Sequence, residues 1–89
     1  MTYRVIIKPS AEKVMRNLHK KVLRTIARKI DLLAGEPRPH GAVKLRGLDD
    51  LYRIRVQDYR IVYQIRDQEL LILVIRIGHR KDVYRELNS

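Results

Sequence analysis

The chain has 89 residues, with 20 Lys and Arg against 10 Asp and Glu, a formal net charge of +10. Its 45% hydrophobic content argues against intrinsic disorder, and its longest strongly apolar run, residues 70–75, is far short of the about 20 residues that a membrane helix needs. With no cysteine there is no disulfide framework, no thiol nucleophile and no Cys-based zinc site. The length predicts a single domain over residues 1–89. Residues 1–8 lack the apolar core of a secretory leader, which together with the missing cysteines predicts a cytoplasmic chain with no membrane partner. So strong a positive field on so small a body favours a polyanionic partner, most often nucleic acid.

Residues 2–8, Thr-Tyr-Arg-Val-Ile-Ile-Lys, are rich in β-formers and predict a strand. Pro9 is expected to end it, with Ser10 as the N-cap of a short helix and Glu12 in its first turn. A break follows at residues 19–21. In the next segment Val22, Leu23, Ile26, Ala27, Ile30, Leu33 and Ala34 recur at three- and four-residue spacing, which predicts a second, amphipathic helix. Gly35 is expected as its C-cap, and Pro37 and Pro39 forbid its continuation. Residues 36–47 read as an irregular connection. Three strands follow at close spacing: residues 51–56, 59–66 and 70–77, with Gly78 closing the last. Residues 81–87 read as a short C-terminal helix or a turn. Short loops make the last three strands antiparallel neighbours. The prediction is an α+β fold, β-α-α-β-β-β, with a small, largely antiparallel sheet and both helices on one face.

Strand alternation then sorts the side chains. Tyr52, Ile54 and Val56 share one face with Tyr59, Ile61, Tyr63 and Ile65, and should meet the helices. Arg53, Arg55 and Arg60 are left together on the other face. Like charges placed side by side in a sheet repel, so the grouping signals either a solvated basic face or an anion site. Beyond the last strand come His79, Arg80, Lys81, Asp82 and Tyr84. Arginine suits phosphate, tyrosine stacks on unpaired bases, and histidine moves protons near neutrality. Together these residue types suit attack of an RNA 2′-hydroxyl on the adjacent phosphate, a reaction that needs neither metal nor cofactor. For His79 a second reading stands beside the catalytic one, that of a turn residue bonding backbone.

The segments Lys44-Leu45-Arg46-Gly47, Leu51-Tyr52-Arg53-Ile54-Arg55, Tyr59-Arg60-Ile61-Val62-Tyr63 and Ile77-Gly78-His79-Arg80, followed by Asp82-Val83-Tyr84, occur in an order and spacing that resemble the RelE family of toxins, within the RelE/ParE superfamily. The resemblance spans nearly the whole chain. It implies a toxin of a type II toxin–antitoxin pair that cleaves mRNA in the ribosomal A site, held in check by an acidic, RelB-like antitoxin. Direct DNA binding is expected only through that antitoxin. It further implies that Arg53 and Arg55 occupy two basic strand positions that are usually lysines in the best-known members. Arg60 would bind phosphate, Arg80 would protonate or stabilise the leaving group, and Tyr84 would stack on the mRNA base. Lys44, Arg46 and Lys81 join Arg53 and Arg55 as RNA-binding cations.

Arginine stays protonated and is a poor general base. Arg53 and Arg55 therefore read as electrostatic clamps, and the expectation is that Arg55, Arg60 and Arg80 hold the phosphate while His79 transfers the proton. Two alternatives stand beside this reading: a ParE-like inhibitor of DNA gyrase, which shares the fold but for which the Arg53, Arg55, Arg60, Arg80 and Tyr84 set would be surplus, and an RNA-binding module without turnover.

Overall fold

The structure, a computed structural model, describes residues 2–47 and 50–79. The first strand, β1, covers Arg4–Ile7. Helix α1 follows at once over Pro9–Arg16, capped by Lys8 in an extended conformation. This corrects the expected Ser10 cap. Pro9 is the first helical residue, where its fixed φ is already helical and its missing N–H is not needed. Helix α2 covers Lys20–Gly35, and the Nδ1 of His19 accepts a hydrogen bond from the Lys21 N–H at its start. Gly35 is the last residue of α2 and Glu36 is the C-cap, one position later than expected.

The connection after α2 contains a strand that sequence pattern does not reveal: β2, only Val43–Lys44. Strands β3, Leu51–Val56, and β4, Tyr59–Arg66, fall where expected. A short 3-10 turn, Asp67–Glu69, leads into β5, Leu71–His79, so the last strand runs past Gly78. The expected C-terminal helix over residues 81–87 lies outside the described residues.

The sheet order is β1-β5-β4-β3-β2. All neighbours are antiparallel except β1 and β5, which run parallel. The parallel pair follows from topology: the two helices return the chain over the sheet, so the first strand can lie beside the last. Helix α1 packs on β5, and α2 packs on β1 and β3. The core between helices and sheet is built from Ala11 of α1, from Ile26, Ile30 and Leu33 of α2, and from Ile54, Ile61, Tyr63, Ile65, Ile72, Val74 and Ile77 of the sheet. The α2, β3 and β4 members lie on the stripe and strand faces read from periodicity. Leu32, off that stripe, is exposed. Among the described residues no helix is long and apolar enough to cross a membrane.

A polar latch ties the α2–β2 connection to the end of the sheet where β4 turns into β5. Arg38 donates two hydrogen bonds to the Asp67 carboxylate, at 2.8 and 3.3 Å, and a third from Nε to the Tyr52 hydroxyl at 3.1 Å. The Tyr3 hydroxyl donates to Asp67 Oδ1 at 2.6 Å. Deeper in, the buried Tyr63 ring stacks on Tyr52, centroids 6.0 Å apart, and its hydroxyl donates to the Pro37 carbonyl at 2.8 Å.

Candidate nucleic-acid site on the helix-free sheet face

The face of the sheet away from the helices carries the arginines. Register places Arg55 directly opposite Arg60, and Arg53 opposite Val62. On the other side of β4, Arg60 faces Gly78 and Val62 faces Arg76. Two rows therefore cross the sheet: Arg55, Arg60, Gly78, and beneath it Arg53, Val62, Arg76. Sequence alternation along β3 and β4 predicts the first three of these four arginines on one face, and the structure brings them together.

Arg76 was not legible in this way, because the two ladders do not keep one register. Val62 pairs with Arg76 but Tyr63 pairs with Val74, leaving Ile75 as the extra residue of a β-bulge. Strict alternation would send Arg76 inward with Ile72 and Val74. The bulge instead turns Arg76 outward and lets Ile77 join the core opposite Ile61. The run Leu71-Ile72-Leu73-Val74-Ile75 is apolar at every position, so it gives no alternation from which to read a face.

Within this cluster Arg60 stands out. Its Nε and Nη1 are shut off from solvent and have no hydrogen-bond partner. Guanidinium remains charged at any working pH, and a desolvated N–H left unpaired costs free energy that a fully exposed arginine would not incur. Val62 is 0% exposed although it lies on the helix-free face, flanked in its row by Arg53 and Arg76. An anion lying across these rows would meet several guanidinium groups, with no side chain at Gly78 to crowd it.

Arg55 also reaches the hairpin turn, where its Nε donates to the Gln57 carbonyl at 3.0 Å. Gln57 adopts a left-handed backbone, φ 56°, which closes the tight β3–β4 turn. Past that turn a groove lined by Lys21, Arg24, Thr25, Arg28 and Gln57 continues the basic surface along α2.

Two predicted site residues are not in the cluster. His79 pairs with Tyr59, on the helix side of the sheet, and its ring meets the Tyr59 ring edge-on with centroids 5.9 Å apart. The bulge that brings Arg76 out also sets the facing of every later residue of β5. Lys44 pairs with Tyr52, again on the helix side, while its neighbour Val43 pairs with Arg53. Arg46 is exposed in the turn after β2. Arg80, Lys81 and Tyr84 lie outside the described residues.

Electrostatics away from the arginines is dominated by the latch. The Arg38 hydrogen bonds, aided by Tyr3, hold the Asp67 carboxyl below its usual range. The same carboxylate pushes the Tyr3 phenol up. Burial, with a smaller contribution from Tyr52, pushes the Tyr63 phenol up to about 12.

Comparison with known proteins agrees with this architecture. The family model described as the ParE toxin of type II toxin–antitoxin systems matches residues 5–84. The mRNA interferase toxin RelE of Escherichia coli K12 is 34% identical over 90 residues, covering 97% of this chain and 94% of that protein. The chain belongs to the RelE family of toxins, within the RelE/ParE superfamily. RelE-type toxins also share its fold. The archaeal RelE–RelB complex from Pyrococcus horikoshii OT3 superposes with a TM-score of 0.82 at 33% identity, covering 93% of this chain and 100% of that one. The toxin–antitoxin complex RelBE of E. coli gives a TM-score of 0.77 at 32% identity, covering 86% and 95%. The helix-free face of this chain takes its charge from guanidinium groups, those of Arg53, Arg55, Arg60 and Arg76.

Proposed function

We propose that this chain is a ribosome-dependent endoribonuclease that cleaves mRNA in the ribosomal A site and so arrests translation. The observation that carries the reading is Arg60: a permanently charged side chain with two desolvated, unpaired nitrogens, set beside Arg55 on a face without helices. A phosphodiester offers charge-assisted acceptors to Arg60, a residue that stays partly exposed. In the reaction the 2′-oxygen bonds to the neighbouring phosphorus, the bond from phosphorus to the 5′-oxygen breaks, the 2′-hydroxyl proton is released and the leaving oxygen takes one up. The phosphorane between these states is more negative than the ground-state diester. Arginines already fixed around it stabilise that added charge preferentially.

Arg55 and Arg60 hold the reacting phosphate in this scheme, with Arg80 at the leaving oxygen and Tyr84 stacked on the base, as in the RelE resemblance, and Arg53 adds positive charge beside it. Lys81 and Arg46 add RNA contacts. His79 and Lys44, on the helix side of the sheet, take no part in the phosphate clamp. A site of guanidinium groups has no strong base of its own. It gains most from a partner that pre-positions the 2′-hydroxyl, and the ribosome fills that role. The mRNA interferase named among the relatives supports this reading.

The partner that restrains the toxin is an acidic, RelB-like antitoxin acting in the same cytoplasm as the ribosome. Charge complementarity favours it, and the relatives in complex with RelB support it. A gyrase-directed activity is the second reading, favoured by the ParE description of the family model. One experiment separates the two. The protein is added to a translation reaction and mRNA ends are mapped by primer extension, with a gyrase supercoiling assay alongside. Cuts within codons at stalled ribosomes, lost in Arg60→Ala, support the nuclease. Intact mRNA with blocked supercoiling overturns it, and intact mRNA with RNA binding alone points to a module without turnover.

A further inference from the structure

We infer that Arg76 is a fourth arginine of the phosphate clamp, aimed by the β-bulge at Ile75, and that with Arg53 it grips the phosphate next to the one undergoing cleavage. This rests on the proposed ribonuclease reading for the identity of the RNA, but its geometric basis is separate.

The two rows of the helix-free face differ in kind. In the upper row Arg55 and Arg60 are direct cross-strand partners, close enough to converge on one group. In the lower row Arg53 and Arg76 stand on either side of Val62. Two strand spacings, about 9.6 Å, separate them. At that distance they do not crowd each other. The rows are two residues apart along the strands, about 6.7 Å. That spacing is comparable with the step between successive phosphates of an extended single strand. A strand of RNA crossing from one row to the other would place one phosphate at Arg55 and Arg60 and the next between Arg53 and Arg76.

The bulge makes this arrangement possible. Without Ile75 as an extra residue, Arg76 would enter the core beside Val74, where an unpaired charge is prohibitively costly. With it, the core gains Ile77 and the basic face gains a guanidinium. Bulges commonly re-aim a side chain beside a functional site, and here the re-aimed side chain has the charge of the three around it.

The test uses the full chain on programmed ribosomes, with unmodified mRNA for cleavage and with mRNA 2′-O-methylated at the attacking hydroxyl for binding. Arg76→Gln is expected to raise KM about tenfold while kcat stays within about twofold, since a distant phosphate contact binds substrate and transition state alike. The plot of log affinity against log salt should flatten by about 0.7, one single-strand phosphate contact. Arg76→Lys should keep the slope, because it keeps the charge, and should show a smaller rise in KM, because it lacks the fork. Melting temperatures report folding, and if Arg76→Gln does not fold, the Lys variant alone decides through its preserved slope and raised KM. Unchanged KM and slope in Arg76→Gln, or a loss confined to kcat, overturns the assignment. Binding to methylated mRNA does not depend on cleavage. If Arg76→Gln differs from the wild type by the expected slope but the wild type cuts nothing, the nuclease reading fails and the Arg76 contact stands.

Discussion

Arg55 and Arg60 face each other directly across the β3–β4 ladder, on the side of the sheet that carries no helix. Directly opposed like charges destabilise a sheet by up to about 1 kcal/mol, and Arg60 adds the cost of desolvated N–H groups. This opposition carries a signature that separates function from stability.

Arg60→Ala should lower mRNA cleavage by at least about 100-fold, the scale for removing one preorganised charge-stabilising donor. It should leave the melting temperature unchanged or raise it. Primer extension and thermal unfolding on the same preparation check both halves. A variant that loses activity only in step with its stability would remove Arg60 from the clamp.

His79→Gln should retain cleavage within about tenfold between pH 5 and 9. Its ring lies against Tyr59, on the far side of the sheet from Arg60, and a general acid or base must come within hydrogen-bond reach of the reacting atoms. A pH–rate profile that loses one limb in the variant would return His79 to the reaction.

Asp67 should be a source of acid sensitivity. Its folded carboxyl lies below its ordinary value of 3.8, chiefly through the Arg38 hydrogen bonds. A depressed carboxyl stabilises the fold fully above the unfolded value, and that stability is lost as pH falls through the folded one. Melting temperatures measured from pH 7 down to pH 2 should therefore fall more steeply in the wild type than in Asp67→Asn. Parallel curves for the two would deny the latch a role.

Burial holds the Tyr63 phenol up at about 12. Because its folded value is raised, the corresponding stability is complete below pH 10 and drains away as pH climbs through about 12. Tyr63→Phe removes the donor to the buried Pro37 carbonyl and should cost about 1–3 kcal/mol at neutral pH. Denaturant unfolding measures that cost, and ultraviolet titration should show the high-pH phenol gone.

Much of this protein follows from local pattern. The three- and four-residue spacing from Val22 to Ala34 is enough for α2, because a helix buries one stripe whatever it packs on. Alternation along β3 and β4 places Arg53, Arg55 and Arg60 together, because a hairpin of two regular strands with a tight turn leaves only one register. The charge of +10 signals a polyanion partner before any fold is known. Other features depend on contacts far apart in the chain. The pairing of β1 with β5, the two-residue β2 held by Arg53 and Tyr52, and the Arg38–Asp67 latch have no local signature. The bulge at Ile75 is the deepest of these. It sits in a run of apolar residues that fits either face, so only the need to bury Ile77 against Ile61 while keeping Arg76 out of the core decides the register. That decision adds Arg76 to the basic face and sets His79 on the other.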